Sequence, residues 1–224
     1  MHEGSSTAPV AEGDEPVDVE VSRRRPGPRR GPGEPSGPAE VREAVLEAAA
    51  VLFGRHGVEA VTLRQIAAEA GVHAGLIGRY VGRRDELIDQ VYLHVTGQLV
   101  ADLEQRPLQP RGFERDSVMG RWTVLVTHYA LRNQLPPLDG PNPVEAVAAA
   151  AERAYGTDAG SARWRAAQIT GSALGWRLFE PIIAALAGIE DGELPAVRAD
   201  LNLLHNIGAS LPVPTTDPRP VEER

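Results

Sequence analysis

The sequence predicts an all-α fold, and three observations carry that prediction. From residue 39 onward, apolar residues recur at three- and four-residue intervals. Pro and Gly gather at the breaks between these runs, in "RPLQPRG", "LPPLDGPNP" and "YGTDAGS". No stretch alternates apolar and polar residues as a half-buried strand would, and no internal repeat of roughly 20 to 50 residues is present.

Each element can be justified in turn. Residues 1 to 38 lack hydrophobic periodicity, are crowded with Pro, Gly and Ser, and pass from acidic to arginine-rich, so they read as a disordered tail. Val41, Val45, Ala48, Ala49, Leu52 and Phe53 then form the stripe of a first helix that stops near Gly57. Thr62 opens a second, with Gln65 three residues later, the spacing in which each side chain caps the other's free backbone N–H. This helix closes at Gly71, a third runs from about His73 to Val81, and a fourth starts near "GRRDEL" and continues through Ile88, Val91, Tyr92, Val95 and Leu99. Beyond it, "SVMGRWTVLVTHYALRNQ", "PVEAVAAAAERA" and "ARWRAAQITGSALGWRLFEPIIAALAG" all show helical spacing. A last helix between about residues 193 and 211 puts Leu194, Val197, Leu201, Leu204, Ile207 and Leu211 on one stripe, and residues 213 to 224 read as a second disordered end.

Composition narrows the function classes. With 224 residues the chain suffices for one medium domain or two small ones. A formal net charge of −8 argues against a protein that coats nucleic acid over its whole surface, while leaving room for a local basic patch. The absence of cysteine rules out disulfides, thiolate metal sites and cysteine nucleophiles and fits a cytoplasmic address. No basic start precedes an apolar core, and no apolar run approaches the roughly 18 to 20 residues that span a bilayer, so neither a signal peptide nor a membrane partner is expected. All 23 basic residues are Arg, which reads first as coding bias in a GC-rich genome.

Residues 62 to 81 have the pattern of a helix-turn-helix. Two helices that cross steeply through a tight turn need a small residue where they touch and a turn residue tolerant of positive φ; Ala67 and Gly71 meet these needs. Ile66, Val72 and Ile77 fall where apolar side chains would lock the pair against the first helix. The stretch "VREAVLEAAAVLFGRHGVEAVTLRQIAAEAGVHAGLIGRYVGRRDELIDQV" resembles the DNA-binding domain of the tetracycline-repressor (TetR) family over roughly residues 40 to 95. The likeness rests on Phe53 and Gly57 at the end of the first helix, Thr62, Ile66 and Ala67 at the start of the second, Ala-Gly-Val in the turn, and a basic residue before "DEL".

The resemblance implies a helix-turn-helix domain over residues 39 to 99, joined by its fourth helix to a larger helical ligand-binding and dimerisation domain over residues 100 to 212. It also implies a homodimer that binds a double-stranded DNA operator and answers to a small-molecule effector, more often as a repressor than as an activator. Thr62, Arg64, His73, Ala74, Gly75, Leu76, Arg79 and Tyr80 fall at the base edges or the nearby backbone. Arg can pair bidentately with guanine O6 and N7, which makes Arg64 and Arg79 the candidates for base reading. Arg83 and Arg84 suit phosphate, where side-chain charge and a helix N-terminus act together; the alternative is a solvated helix start paired with Asp85 and Glu86. Two positions depart from the family: Gly78 stands where a phosphate-contacting Tyr is usual, and Val81 where an aromatic is usual. Residues 40 to 90 hold six Arg against eight acidic residues, whereas residues 22 to 39 hold five Arg and one Glu. The arginine-rich tail, Arg29 and Arg30 included, is therefore expected either to reach DNA as a basic arm or to serve as a linker of biased composition.

In the second domain, Trp122, His128, Tyr129, Arg132, Trp164, Arg165 and Gln168 combine aromatic walls with a few polar groups, the chemistry of a small-molecule cavity; ordinary core aromatics and surface polar residues are the alternative for each. Leu174, Trp176, Leu178, Leu201, Leu204 and Ile207, with Ala173, Phe179 and Leu211, are candidates for a twofold helical interface, with Gly171, Ala173 and Gly175 allowing close approach. For metal binding, His56, His94, His128 and His205 show no His-x-x-x-His or carboxylate-backed spacing. Catalytic signatures are missing too: no Gly-x-Ser-x-Gly elbow, phosphate-cradling glycine loop or paired carboxylate motif occurs, so neither an enzyme nor a cofactor is expected. The competing reading, motivated by Gly78 and Val81, is an all-helical small-molecule-binding protein or enzyme whose helix-turn-helix has decayed.

Overall fold

The computed structural model describes residues 35, 37–105 and 116–211, apart from the side chain of Asn206. They form eight helices, with no strand among the described residues: α1 (Pro38–His56), α2 (Leu63–Glu69), α3 (Ala74–Tyr80), α4 (Arg84–Gln105), α5 (Val118–Leu131), α6 (Pro143–Tyr155), α7 (Ala159–Ala187) and α8 (Leu194–Ser210). Nearly all of the two terminal tails and the whole of "RPLQPRG" lie outside the described residues.

Local chemistry places the helix ends. Pro38 opens α1 where its missing N–H would have had no partner anyway, and Gly57 closes it at φ 83°, its N–H donating to the Phe53 carbonyl at 2.8 Å. At α2 the reciprocal cap is present: the Gln65 N–H donates to Thr62 Oγ1, and the Thr62 N–H donates to Gln65 Oε1 at 2.8 Å. Gly71 takes φ 64° in the turn that follows, a conformation that strains any residue carrying a Cβ. α3 starts one residue later than the sequence suggests, with His73 in the cap position but with no side-chain capping bond. Asn142 caps α6 and Asp158 caps α7, so α7 begins inside "YGTDAGS".

Val41, Val45, Ala49 and Phe53 of α1 face Ile66, Ala67 and Ile77 of α2 and α3 and a long stripe of α4 from Leu87 to Leu103. Trp122, Leu125 and Tyr129 of α5 belong to the same core, so α1 packs directly on the start of the second half. α4 passes unbroken through position 99, where the resemblance draws a domain boundary, and both halves share it. Fully buried side chains of this size each contribute roughly 1.5–3 kcal/mol relative to exposure, and the α1–α4 stripe holds most of them. α6 and α7 meet through Ala148, Ala162 and Ala166, whose small side chains let the two backbones approach closely.

Candidate nucleic-acid interface

α2, Gly71 and α3 present an exposed surface on a buried footing. Ile66, Ala67 and Ile77 point inward, with Val72, Leu76 and Tyr80 partly buried against the core. Outward stand Thr62, Arg64, His73, Ala74, Gly75, Gly78 and Arg79, all exposed. The Arg79 guanidinium lies over the Tyr80 ring, 5.3 Å from its centroid, a contact that holds it on the surface of α3. A Cβ at Gly78 would meet nothing within 4 Å, and one at Gly75 would meet only His73 Nδ1 at 3.9 Å. The two glycines therefore leave open space on the outer face and serve no internal packing.

Several carboxylates of this half are engaged within the protein. Glu47 accepts from Arg121 Nη1 at 2.7 Å and from Gln98 Nε2 at 3.0 Å, and lies 3.1 Å from His94 Nε2. Although burial opposes ionisation, these hydrogen bonds hold its carboxyl below the ordinary range. Glu59 pairs with Arg132 and His128, Glu86 accepts from the Arg83 N–H at 2.7 Å, and Asp89 accepts from the Tyr129 hydroxyl at 2.5 Å. Residues 62–84 themselves hold Arg64, Arg79, Arg83 and Arg84 against Glu69 alone. The basic patch that the overall charge hid thus lies on the helix-turn-helix.

Arg83 and Arg84 part company. Arg83 is exposed, directly before α4. Arg84 turns inward, donating Nη1 to the Val61 carbonyl at 2.8 Å and Nη2 to the Val58 carbonyl at 2.6 Å. The phosphate contact expected of it competes with this hold on the α1–α2 loop. Arg29 and Arg30 lie outside the described residues.

The residues expected to line one cavity differ in their surroundings. Trp122 and Tyr129 are buried against α4, His128 and Arg132 reach the α1–α2 loop, and Trp164 is 60% exposed, with Gln168 also exposed. Burial, then the nearby Arg132 charge, pushes the His128 pKa below its ordinary value, while burial and the Asp89 carboxylate raise that of Tyr129. Of the interface candidates, Leu174, Trp176 and Leu201 are half-buried and Leu178, Leu204 and Ile207 are exposed; Trp176 Nε1 donates to Glu180 within its own helix. Sequence reasoning missed Glu47, Glu59 and Glu180, whose charged partners lie on other helices and carry no signal in local spacing.

A short helix pair, turned by a left-handed glycine and bearing an exposed arginine on each helix, defines the class of helix-turn-helix regulators. The sequence pattern described as "Bacterial regulatory proteins, tetR family" matches residues 45–91, from mid-α1 into α4. The HTH-type transcriptional repressor Rv3405c of Mycobacterium tuberculosis and the HTH-type transcriptional regulator Mb3439c of Mycobacterium bovis are each 33% identical over 176 residues, covering 75% of this chain and 88% of theirs. The HTH-type transcriptional repressor KstR2 of Mycolicibacterium smegmatis is 30% identical over 84 residues, 35% of this chain and 41% of its own. This chain belongs to the tetR family of bacterial transcriptional regulators. Among the described residues, no helix is long and apolar enough to cross a membrane.

Proposed function

We propose that the chain is a homodimeric repressor that binds a roughly palindromic DNA operator and is released from it by a small molecule. The observation that carries the DNA-binding part is the exposed set Arg64, His73, Arg79 and Arg83 on and beside a helix pair whose inner face is packed on the core. Repression is the activity named for the relatives Rv3405c and KstR2. Dimerisation is supported by α7 and α8, which leave Phe179, Ile182, Leu203, Leu204 and Ile207 exposed, with Leu204 at 63%; apolar surface of this extent is unusual on a monomer. A twofold pair would set its reading helices one DNA turn apart, ~34 to 36 Å, and so favour a palindromic site. Ligand response is supported by interior polar atoms that have no partner among the described residues: Trp122 Nε1 and Thr96 Oγ1, buried on α5 and α4. A buried donor left unpaired calls for water or a bound molecule. A ligand that favours one orientation of the reading heads by ~1 to 3 kcal/mol would change DNA affinity 5- to 150-fold.

The test is selection of duplexes from a random library by the purified full chain, followed by sedimentation of the complex and a screen of metabolites for release. A selected palindrome bound by two chains is the expected result. Failure to enrich any duplex, with the protein folded, would remove the DNA-binding reading and favour a helical ligand-binding protein with a decayed helix-turn-helix.

A further inference from the structure

Glu59 lies in the loop between α1 and α2 but is held from outside the helix-turn-helix. His128 Nδ1 and Arg132 Nη1, from the end of α5, converge on the same carboxylate oxygen, Glu59 Oε1, the histidine at 3.2 Å. Arg132 Nη1 also lies 3.4 Å from His128 Nδ1, so the three groups meet at one point. The same loop is gripped a second time, because Arg84 of α4 binds the carbonyls of Val58 and Val61 on either side of Glu59. α5 is itself anchored at this end: Tyr129 donates to Asp89 of α4, its ring meets Tyr92 edge-on at 5.6 Å, and His128 meets Tyr129 in the same way at 5.6 Å. Val61 is followed at once by Thr62, the cap of α2, and α2 leads through Gly71 into α3. Where the loop sits therefore decides where the reading helices sit.

We propose that Glu59, His128 and Arg132 form a latch that positions the helix-turn-helix relative to the second half of the chain, an inference that rests on the DNA-binding reading above. The pair is too open to be a stability device. Glu59 is 65% exposed and Arg132 47%, and exposed ion pairs add little to folding. Direction is what the contact supplies, because Arg132 reaches Glu59 and His128 together and His128, only 10% exposed, has little freedom to move. A ligand acting on α5 has here a short route to the reading head, through a contact that is either made or broken.

The test uses the full chain and a duplex selected by the wild type from a random library. Glu59→Gln, Arg132→Gln, their combination and Arg132→Lys are compared by DNA affinity, by melting temperature, and by amide hydrogen exchange of residues 57–72 in the DNA-free protein. Each single truncation is expected to weaken binding by about 5- to 20-fold, with the double variant no worse than the poorer single, and with Arg132→Lys recovering most of the affinity. Exchange in the loop should accelerate while α4 stays protected and the melting temperature holds within about 2 °C. Unchanged exchange and unchanged affinity in Glu59→Gln overturn the latch, as do losses that simply multiply in the double variant. Should the wild type select no duplex, the DNA-binding reading fails by itself, and exchange alone decides the latch: unchanged loop exchange overturns it.

Discussion

Gly78 sits in a helical backbone with open space where its side chain would be. Glycine lowers the stability of a helix interior by roughly 0.5–1 kcal/mol relative to alanine, and nothing at this position offsets that loss. Gly78→Ala is therefore expected to raise stability by about that amount, seen as an upward shift of the denaturant midpoint at constant slope. The arginines divide at the same scale. Arg84→Ala leaves the Val58 and Val61 carbonyls without their partner and should destabilise by roughly 1–3 kcal/mol, whereas Arg64→Ala, on an exposed surface, should change stability by no more than about 0.5 kcal/mol. Denaturant titration of the two variants side by side checks the contrast. In sequence both residues are plausible DNA contacts, Arg64 to bases and Arg84 to phosphate. Only the fold, which brings residue 84 beside residues 58 and 61, distinguishes them.

At the scale of elements, the legible features are those written in local spacing. Thr62 and Gln65 announce the start of α2 because both halves of the capping box lie within one turn of helix, and Gly71 announces the turn because its left-handed φ excludes most other residues. Thr62→Ala should accordingly cost about 1 kcal/mol, measurable by thermal melting, and should speed amide exchange at the start of α2. His73 shows the limit of such reasoning, since its place at the head of α3 was readable but its lack of a capping bond was not. The Glu47–His94 contact spans 47 positions and joins α1 to α4, and no periodicity in either helix points to the other. For the same reason His128 and Arg132, grouped with Trp122 and Trp164 by residue type, turned out to face Glu59 instead.

For the whole molecule, pH reports on the buried histidines. Burial lowers the folded-state pKa of His128, with the Arg132 charge adding to it, and burial alone lowers that of His205. A histidine whose folded pKa lies below its unfolded value of about 6.5 stabilises the native state fully above that pH and loses the contribution as pH falls through its folded pKa. Glu47, Glu59 and Glu180, held low by their partners, lose theirs only at pH values below about 4.5. The melting temperature should thus begin to fall as pH drops below about 6.5, before the carboxylates titrate, and His128→Gln should flatten that first decline.

The claim that joins these scales is that α2 and α3 read DNA through exposed arginines mounted on a rigid core. Fluorescence anisotropy of a selected duplex, titrated with the wild type and with the Arg64→Ala, Arg79→Ala double variant at two salt concentrations, tests it most directly. The expected result is tight wild-type binding that weakens steeply with salt, and a variant that stays folded but loses about 2–6 kcal/mol of specific affinity, with a shallower salt slope. A folded double variant that binds the same duplex as tightly as the wild type would contradict it.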